Sequence, residues 1–493
     1  MNNILFDKDL ISIQQARNLS KSAKAAYELF STFPQDKVDK IVESIAIAGI
    51  EASERLAKIA VEETGYGKVE DKVLKNIFST KNVFESIKNL KTVGVINRDN
   101  SKKIIEIAHP MGVVAAITPT TNPTSTVMFK ALISVKARNA IVFAPHPHAV
   151  RCSFEAAEVM AKAAENSGAP KGLISCIETS TLEGTKELMA SPNIAIILAT
   201  GGLAMVKAAH SYGKPALGVG PGNTPVYVDK SANLEKAAKD IIISKSFDNG
   251  VICASEQSVI VHKDVEPEFR EYMIRNGTYF LNEAEIEKVG SVLIKNDAMN
   301  PEMVGKDIQV IADAAKISVP AGIKLLAAKL DGVGPKYPLS REILSPIIAY
   351  YISDNWESAC ERCIELINFG GVGHTMVIHS WDEEVITEFA HKKPVFRILI
   401  NTPASQGAIG LTTSLTPSMT LSTGAWGGGI SSDNISAYHL MNIKRVAYEV
   451  NPINSSNSNT KNIENNNYSA ELTENLIEDI VRKVIENIYT KKI

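Results

Sequence analysis

The chain has 493 residues, of which 45% are hydrophobic and 22% are charged, and its formal net charge is -3. A chain of this length and apolar content can bury large cores and is expected to form at least two domains. The small net charge gives no electrostatic reason to expect nucleic acid as a partner. The apolar runs are too short to span a membrane, and the N-terminal residues lack the pattern of a signal peptide. We therefore expect a soluble cytoplasmic protein.

The N-terminal part is predicted to be helical before the first strong strand. Residues 12 to 95 show helical periodicity with charged outer faces, and strands are predicted at residues 104 to 108 and 111 to 117. The second strand runs into Thr118-Pro119-Thr120-Thr121-Asn122-Pro123. The two prolines disfavour helix in the residues before them and favour an extended loop. We therefore expect Asn122 to be presented from a stiff support.

Between residues 123 and 260, short apolar runs alternate with amphipathic helices, as a parallel sheet covered on both faces requires. This pattern predicts a nucleotide-binding domain. The run at residues 194 to 199 is followed by Thr200-Gly201-Gly202 and a helix, an arrangement that can hold a phosphate. The full G-x-G-x-x-G pattern is absent, so an ordinary tight turn is almost as good an interpretation. The glycines of residues 218 to 223 are not expected to begin a helix, because Pro221 lies among them and a β-rich run follows Asn223.

The stretch from Phe247 to Gln257 contains the strongest candidate for chemistry, Cys253. An apolar helical segment, residues 234 to 246, runs into the turn Asp248-Asn249-Gly250, and a β-rich segment follows the cysteine. A thiol on such a turn can be held rigidly and still reach a cleft. Taken alone, however, a single cysteine is most often a buried packing residue.

The other cysteines carry less functional information. An odd total of five cysteines argues against a disulfide framework. Cys360-x-x-Cys363 resembles half of a redox or metal site, but both sulfurs fall on the apolar stripe of a predicted helix, which favours core packing. No metal site is predicted. The same helix belongs to a second alternation of strands and helices, residues 258 to 440, which predicts a second α/β domain.

The C-terminal segment differs in composition from the rest of the chain. Residues 451 to 467 are rich in Asn and Ser and are expected to be a disordered linker. Beyond them, apolar residues recur at helical spacing, which predicts an amphipathic helix. The apolar positions are Leu472, Leu476, Ile477, Ile480, Val481, Val484, Ile485 and Ile488. Such a helix either docks back on its own domain or binds another protein, and the long tether favours the second.

Together, Cys253, Asn122 and a dinucleotide-type sheet predict a reaction. A thiolate attacks an aldehyde carbon, and the side-chain amide of Asn122 and the backbone N–H of Cys253 stabilise the oxyanion. Hydride transfer to a nicotinamide then leaves an acyl thioester on Cys253.

At these residues the chain resembles the aldehyde dehydrogenase superfamily, and more closely its CoA-acylating branch. The resemblance covers about residues 10 to 450 and follows several motifs in the same order. The motifs are residues 117 to 123, Ala144-Pro145-His146-Pro147, Ala199-Thr200-Gly201-Gly202, residues 218 to 223, the Cys253 stretch, Gly373-His374-Thr375 and Gly424-Ala425-Trp426-Gly427. It implies an α/β fold of the aldehyde dehydrogenase type, with two doubly wound parallel-sheet domains and a small β oligomerisation flap.

The resemblance also implies a division of the chain. A dinucleotide-binding domain is expected at residues 1 to 245, with one flap strand near residues 102 to 108, and a catalytic domain at residues 246 to 430. The flap continues at residues 431 to 450. The linker at 451 to 467 then leads to a targeting helix at 468 to 493.

Site residues follow from the same resemblance. It implies that Cys253 is the nucleophile and that Asn122 belongs to the oxyanion hole. His374 either lies near the acyl intermediate or CoA, or is a buried structural histidine. The implied cofactor-binding residues are Thr118, Pro119, Pro145, His146, Thr200, Gly201, Gly202 and Glu342. The family motif around the glutamate has a glycine where this chain has Ser345, which weakens the assignment of Glu342.

One departure from the hydrolytic members indicates the product. They carry a water-activating glutamate in a Glu-Leu-Gly-Gly motif, where this chain has Gly218-Val219-Gly220-Pro221-Gly222. Without that base, water attack on the thioester should be slow, whereas a thiol ionises more readily than water and needs less help. The missing base therefore favours release as a CoA thioester.

The sequence thus predicts reversible oxidation of propionaldehyde or acetaldehyde with NAD+ and coenzyme A, with NADP left open as the nicotinamide. The alternatives are a hydrolytic aldehyde dehydrogenase and a catalytically silent scaffold. The resemblance further implies a homodimer or tetramer. Residues 468 to 493 are expected to bind shell or cargo proteins of a bacterial microcompartment and to place the enzyme in its lumen.

Overall fold

The computed structural model describes residues 7 to 451. The helices, α1 to α16 in chain order, span Lys8–Phe30, Gln35–Glu51, Ser53–Thr64, Val69–Ile77, Val83–Ile87, Pro123–Lys136, Val150–Asn166, Leu182–Ala190, Leu203–His210, Leu234–Ser246, Glu266–Arg275, Glu283–Leu293, Ile308–Ala315, Trp356–Phe369, Glu383–Lys392 and Ala404–Ala408. The strands, β1 to β17, span Gly94–Asp99, Ile104–Pro110, Val113–Thr118, Ala140–Pro145, Ile174–Cys176, Ile194–Thr200, Ala216–Val219, Thr224–Val228, Glu256–His262, Thr278–Leu281, Ile294–Lys295, Ala298–Met299, Leu325–Lys329, Ile347–Ser353, Gly373–His379, Val395–Ile400 and Met441–Ala447.

The first large sheet is parallel and has the strand order β5-β4-β3-β6-β7. Every residue of its central strand β3 is buried, as expected for a strand covered on both faces. Thr118 pairs with Pro145 across β3 and β4, and Ile117 pairs with Ala199 across β3 and β6. The carboxyl ends of these strands therefore lie side by side where the strand order reverses, which is the usual ligand crevice of such sheets.

The second large sheet is also parallel and has the order β10-β13-β14-β9-β8-β15-β16. Its core includes Tyr227, which stacks on Phe389, and Tyr350, which is fully buried. The predicted fold class, α/β with two parallel sheets, is confirmed. Strand β8 pairs with β9 and β15 and so belongs to the second sheet. The chain therefore passes from the first sheet to the second between Val219 and Thr224. The predicted domain boundary at residue 245 stays a prediction.

A small three-stranded sheet, with the order β1-β2-β17, forms a separate compact unit. Strands β1 and β2 are antiparallel, and a register shift falls between Val95 and Asn97. Within this unit, Arg445 Nε donates to Glu106 Oε1 at 3.0 Å. Strands β2 and β17 fall in the two segments predicted for the flap, whereas the sequence did not predict β1. The oligomerisation role of this sheet stays a prediction.

The predicted helix around Cys360 and Cys363 is present as α14, and both cysteines are buried in the core of the second sheet. The packing interpretation of this pair is therefore confirmed. Within residues 7 to 451, no helix combines the length and the apolar character that crossing a membrane requires. The predicted targeting helix and nearly all of the predicted linker lie outside the described residues.

Candidate active site

The turn that carries Cys253 is formed by three residues in left-handed backbone conformations. Asp248, Asn249 and Gly250 have φ angles of 51°, 52° and 78°. Asn249 Nδ2 donates to the carbonyl oxygen of Gly305 at 3.0 Å, which fixes the turn. A Cβ atom on Gly250 would lie 2.8 Å from the carbonyl oxygen of Ser345, so glycine is required there by both conformation and space. The turn predicted at Asp248-Asn249-Gly250 is therefore confirmed.

A buried ion cluster lies beneath this turn. The carboxylate of Asp248 accepts from Lys72 Nζ at 2.9 Å and from Lys75 Nζ at 2.5 Å, and the three side chains are at most 3% exposed. The same carboxylate accepts from the backbone N–H of Lys68 at 2.8 Å. A buried charge needs such partners to offset its desolvation. The sequence predicted Asp248 only as a turn residue and gave no signal for Lys72 and Lys75, which fall in a segment with a charged helix face.

Asn122 is tied to the cluster through its side chain. Its Oδ1 accepts from Lys75 Nζ at 2.7 Å, and its Nδ2 donates to the carbonyl oxygen of Val251 at 3.0 Å. A lysine ammonium can only donate, so the contact with Lys75 fixes which end of the amide carries the N–H groups. The backbone of the nucleophile turn and the predicted oxyanion residue are thus held together.

Cys253 and Asn122 line one cavity of about 510 Å³. The same cavity is lined by six of the predicted cofactor residues, namely Pro119, His146, Thr200, Gly201, Gly202 and Glu342. The two others, Thr118 and Pro145, line a further cavity of about 280 Å³ together with residues of the first, including Thr200 and Gly201. The structure therefore brings the predicted nucleophile, oxyanion donor and cofactor residues to one place. The roles of these residues remain predictions.

His374 lies behind the nucleophile and lines neither cavity. Its ring is fully buried, and its Nδ1 is 2.9 Å from Thr375 Oγ1, while its Nε2 has no hydrogen-bond partner. Burial, helped by Arg397, lowers the pKa of His374 to about 3, so the ring is neutral. A Cβ atom on Gly222 would lie 3.2 Å from this ring and 2.2 Å from the carbonyl oxygen of Cys253. The ring, Gly222 and the Cys253 backbone are in close packing.

Glu342 is the only carboxylate among the described residues that line the larger cavity. Its Oε1 accepts from the backbone N–H of Gly222 at 3.0 Å. Burial raises the pKa of Glu342 to about 7, and the Gly222 amide and Lys245 oppose that rise. Burial also raises the pKa of Cys253 to about 12, with Glu342 adding to the rise and Arg397 and Lys75 opposing it. In this structure the thiol is therefore protonated at neutral pH.

The model of the aldehyde dehydrogenase family matches residues 8 to 411. The chain belongs to this family. The solved structure of an acetylating aldehyde dehydrogenase from Geobacillus thermoglucosidasius is 52% identical and gives a TM-score of 0.90, over 91% of this chain and 100% of that one. The family predicted from the sequence is confirmed, and with it the predicted aldehyde dehydrogenase fold.

Other aldehyde dehydrogenases share the same fold at lower identity. A propionaldehyde dehydrogenase from the Clostridium phytofermentans fucose utilisation bacterial microcompartment is 29% identical with a TM-score of 0.80, over 88% of this chain and 97% of that one. The bifunctional aldehyde-alcohol dehydrogenase of Escherichia coli is 44% identical over 441 residues, which is 88% of this chain and 50% of that protein. The chain thus spans about half the length of that curated relative.

Proposed function

We propose that this aldehyde dehydrogenase family member is CoA-acylating and oxidises a short aliphatic aldehyde, with NAD+ and coenzyme A, to an acyl-CoA and NADH. One observation carries the proposal. A single cavity holds the thiol of Cys253 and the amide of Asn122, and Val219 and Gly220 line it where hydrolytic members carry their water-activating glutamate. The remaining carboxylate, Glu342, is bonded to the Gly222 amide.

The residues at the carboxyl ends of β3 and β6 fit a dinucleotide. Thr118 Oγ1 and Thr200 Oγ1 are buried without a hydrogen-bond partner, so both hydroxyls are available to a ligand. A Cβ atom on Gly202 would meet no atom within 4 Å, and one on Gly201 would meet only Met205, at 3.7 Å. Protein packing does not require glycine there, whereas close approach of a phosphate to the backbone does.

In the proposed reaction, the thiol proton of Cys253 passes to solvent and the thiolate attacks the aldehyde carbon, so that a C–S bond forms as the carbonyl π bond breaks. The Cys253 backbone N–H and Asn122 Nδ2 donate to the resulting oxyanion. A nicotinamide held by Thr200, Gly201 and Glu342 would supply the hydride acceptor, and a bound CoA would supply the thiol that takes the acyl group. Cys253 carries the acyl group as a thioester between these two steps and is regenerated when that thioester is exchanged for the CoA thioester.

The proposed substrate follows from the apolar side of the cavity. Ile409, Met419 and Leu421 line it with uncharged side chains, beside Val251 and Ile252. Such a surface favours an aliphatic chain over one that ends in a carboxylate, because a buried charge without a partner is costly. We expect acetaldehyde and propanal to react better than succinate semialdehyde.

The proposal is tested by following NADH formation with acetaldehyde, propanal, butanal and succinate semialdehyde, with either NAD+ or NADP+, and with or without CoA. We expect sustained turnover only with CoA, and acyl-CoA as the product. Full-rate NADH formation without CoA, with free acid accumulating, would instead establish the hydrolytic activity. No turnover under any of these conditions would favour the scaffold.

The roles predicted for the rest of the chain are part of this proposal. Residues 1 to 245 bind the nicotinamide, residues 246 to 430 carry the nucleophile, and the small sheet joins subunits into a dimer or tetramer. Residues 468 to 493 recruit the enzyme to a microcompartment, by analogy with the microcompartment relative. Deleting residues 451 to 493 should leave turnover intact and abolish co-purification with shell proteins, and equal association with and without the tail would contradict this role.

A further inference from the structure

Lys75 connects the buried ion cluster to the predicted oxyanion residue. Its ammonium group donates to Asn122 Oδ1 at 2.7 Å, to Asp248 Oδ2 at 2.5 Å and to the Val251 carbonyl oxygen at 3.3 Å. The side chain is 2% exposed and does not line the cavity of Cys253. Lys75 therefore cannot touch the aldehyde, and any effect on the reaction passes through its neighbours.

Lys72 has the same carboxylate partner but a different second contact. Its ammonium group donates to Asp248 Oδ2 at 2.9 Å and to the carbonyl oxygen of Thr121 at 2.9 Å. No hydrogen bond joins it to the side chain of Asn122. The two lysines are equally buried, at 3% and 2% exposure. The chain thus provides a matched pair in which only one lysine holds the amide.

The contacts of Asn122 leave one of its N–H groups weakly held. One of its two hydrogens bonds the Val251 carbonyl oxygen at 3.0 Å, and the other reaches Thr121 Oγ1 at 3.2 Å. The longer contact is the weaker one, and the hydrogen in it is available to a stronger acceptor. With Oδ1 held by Lys75, an amide flip would place two donors against each other, so the N–H groups stay on the side away from the ammonium.

We propose that Lys75 is a positioning residue for acyl transfer, which fixes the Asn122 amide with an N–H directed at the forming oxyanion and keeps a positive charge beside it. This inference rests on the proposed function. The positive charge acts at short range in a buried site, where screening by water is small. The charge of Lys75 also opposes the rise in the pKa of Cys253 that burial causes. Both effects favour formation of the tetrahedral adduct.

The test is the rate of the single-turnover NADH burst with propanal and NAD+ in the absence of CoA, which reports acylation of Cys253 alone. The variants are Lys75→Met, Lys72→Met, Asn122→Ala and the double variant Lys75→Met/Asn122→Ala. Loss of one oxyanion donor costs about 100-fold to 1000-fold. We expect Lys75→Met to slow the burst by about 10-fold to 100-fold and Lys72→Met by less than about 5-fold. In the Asn122→Ala background, Lys75→Met should cost clearly less than it does in the wild type, because the orientation of the donor is already lost and only the charge of Lys75 remains to be removed.

Stability is measured in parallel by thermal unfolding, because both lysine variants remove a cation from Asp248. A Lys75→Gln variant, which keeps an N–H donor without the charge, separates orientation from electrostatics and provides a second route if Lys75→Met does not fold. Equal bursts for Lys75→Met and wild type, equal losses for both lysine variants, or multiplicative losses in the double variant would overturn the inference. A wild-type enzyme without any burst would overturn the proposed function, and the inference with it.

Discussion

Replacing Asp248 by asparagine should destabilise the protein strongly, because it leaves Lys72 and Lys75 buried side by side without their counterion. Both ammonium groups contact the same carboxylate oxygen, and all three side chains are at most 3% exposed. Removing one partner of a buried ion pair costs about 3 to 5 kcal/mol. Asparagine keeps one acceptor oxygen, so we expect a loss in this range rather than above it. For a chain of 493 residues, about 2.1 cal/mol/K per residue gives an unfolding entropy of about 1 kcal/mol/K, so this loss lowers the thermal midpoint by about 3 to 5 °C.

The pH dependence of the stability loss in Asp248→Asn separates the effect of the lost charge from the effect of altered packing. In the folded protein burial lowers the pKa of Lys75 from 10.5 to about 8, with Asp248 opposing that shift. Lys75 therefore loses its proton at a lower pH in the folded state than in the unfolded state. Its contribution to the stability of the wild type accordingly increases as the pH rises from about 8 to 10.5. Without Asp248 the pKa falls further and the gain begins at lower pH. The deficit of Asp248→Asn should therefore be smaller at pH 9.5 than at pH 7.

The assay is thermal unfolding of Asp248→Asn and wild type at both pH values, with Asp39→Asn as the control. Asp39 pairs with the fully buried Lys136, but its own side chain is 39% exposed, so water replaces part of the lost contact. The control should lose less stability than Asp248→Asn. A loss of less than about 1 kcal/mol at pH 7, or the same deficit at pH 7 and 9.5, would refute the account of the cluster.

Three further predictions concern the cavity and the backbone next to Cys253. Glu342→Gln should weaken a pH effect. The folded-state pKa of about 7 exceeds the ordinary 4.5, so Glu342 makes wild-type stability fall as the pH rises from 4.5 to 7, and the thermal midpoint of the variant should decline less over this range. Gly222→Ala should reduce the acylation burst severely, because its Cβ would lie 2.2 Å from the Cys253 carbonyl oxygen; an active, equally stable variant would show that the turn can shift. Thr200→Val should raise the KM for NAD+ while leaving the thermal midpoint nearly unchanged, because its hydroxyl has no partner in the protein; an unchanged KM would remove Thr200 from the cofactor site.

The parts of the site that the sequence predicted are those with local signals. The turn before Cys253 has residues that tolerate left-handed conformations, and the Thr200 turn lies between a continuous apolar strand and a helix. Helix α6 was not predicted, because all of its residues are buried and it has no polar face to create a helical period. Its Pro123 was assigned to the preceding loop but occupies the first turn of the helix, where proline is favourable.

The ion cluster could not be found from the sequence because its members are distant along the chain. Lys72 and Lys75 lie one turn apart on α4, whose first turn carries the acidic residues Glu70 and Asp71, and Asp248 follows more than 170 positions later. Nothing in the local pattern separates these lysines from solvated ones, since burial of a charge is decided by what packs against the helix. Likewise, the local pattern of β8 predicts a strand but does not specify its neighbours, so its membership in the second sheet became visible only in the fold.

The segment before β8, residues 219 to 223, contributes to the active site in two ways: it lines the cavity, and it packs against the backbone of Cys253. Its Val219 and Gly220 line the cavity and belong to the motif that, by the family resemblance, replaces the glutamate motif of hydrolytic members. Its Gly222 lies so close to the nucleophile that a Cβ atom would overlap the Cys253 carbonyl. The Gly222 amide also bonds to Glu342, the remaining carboxylate of the cavity. This bond opposes the rise in the pKa of Glu342 that burial causes, and a carboxylate of lower pKa is a weaker base toward water. Under the proposed function, the lack of a glutamate in this segment and its hydrogen bond to Glu342 both favour a thioester that persists until a thiol arrives.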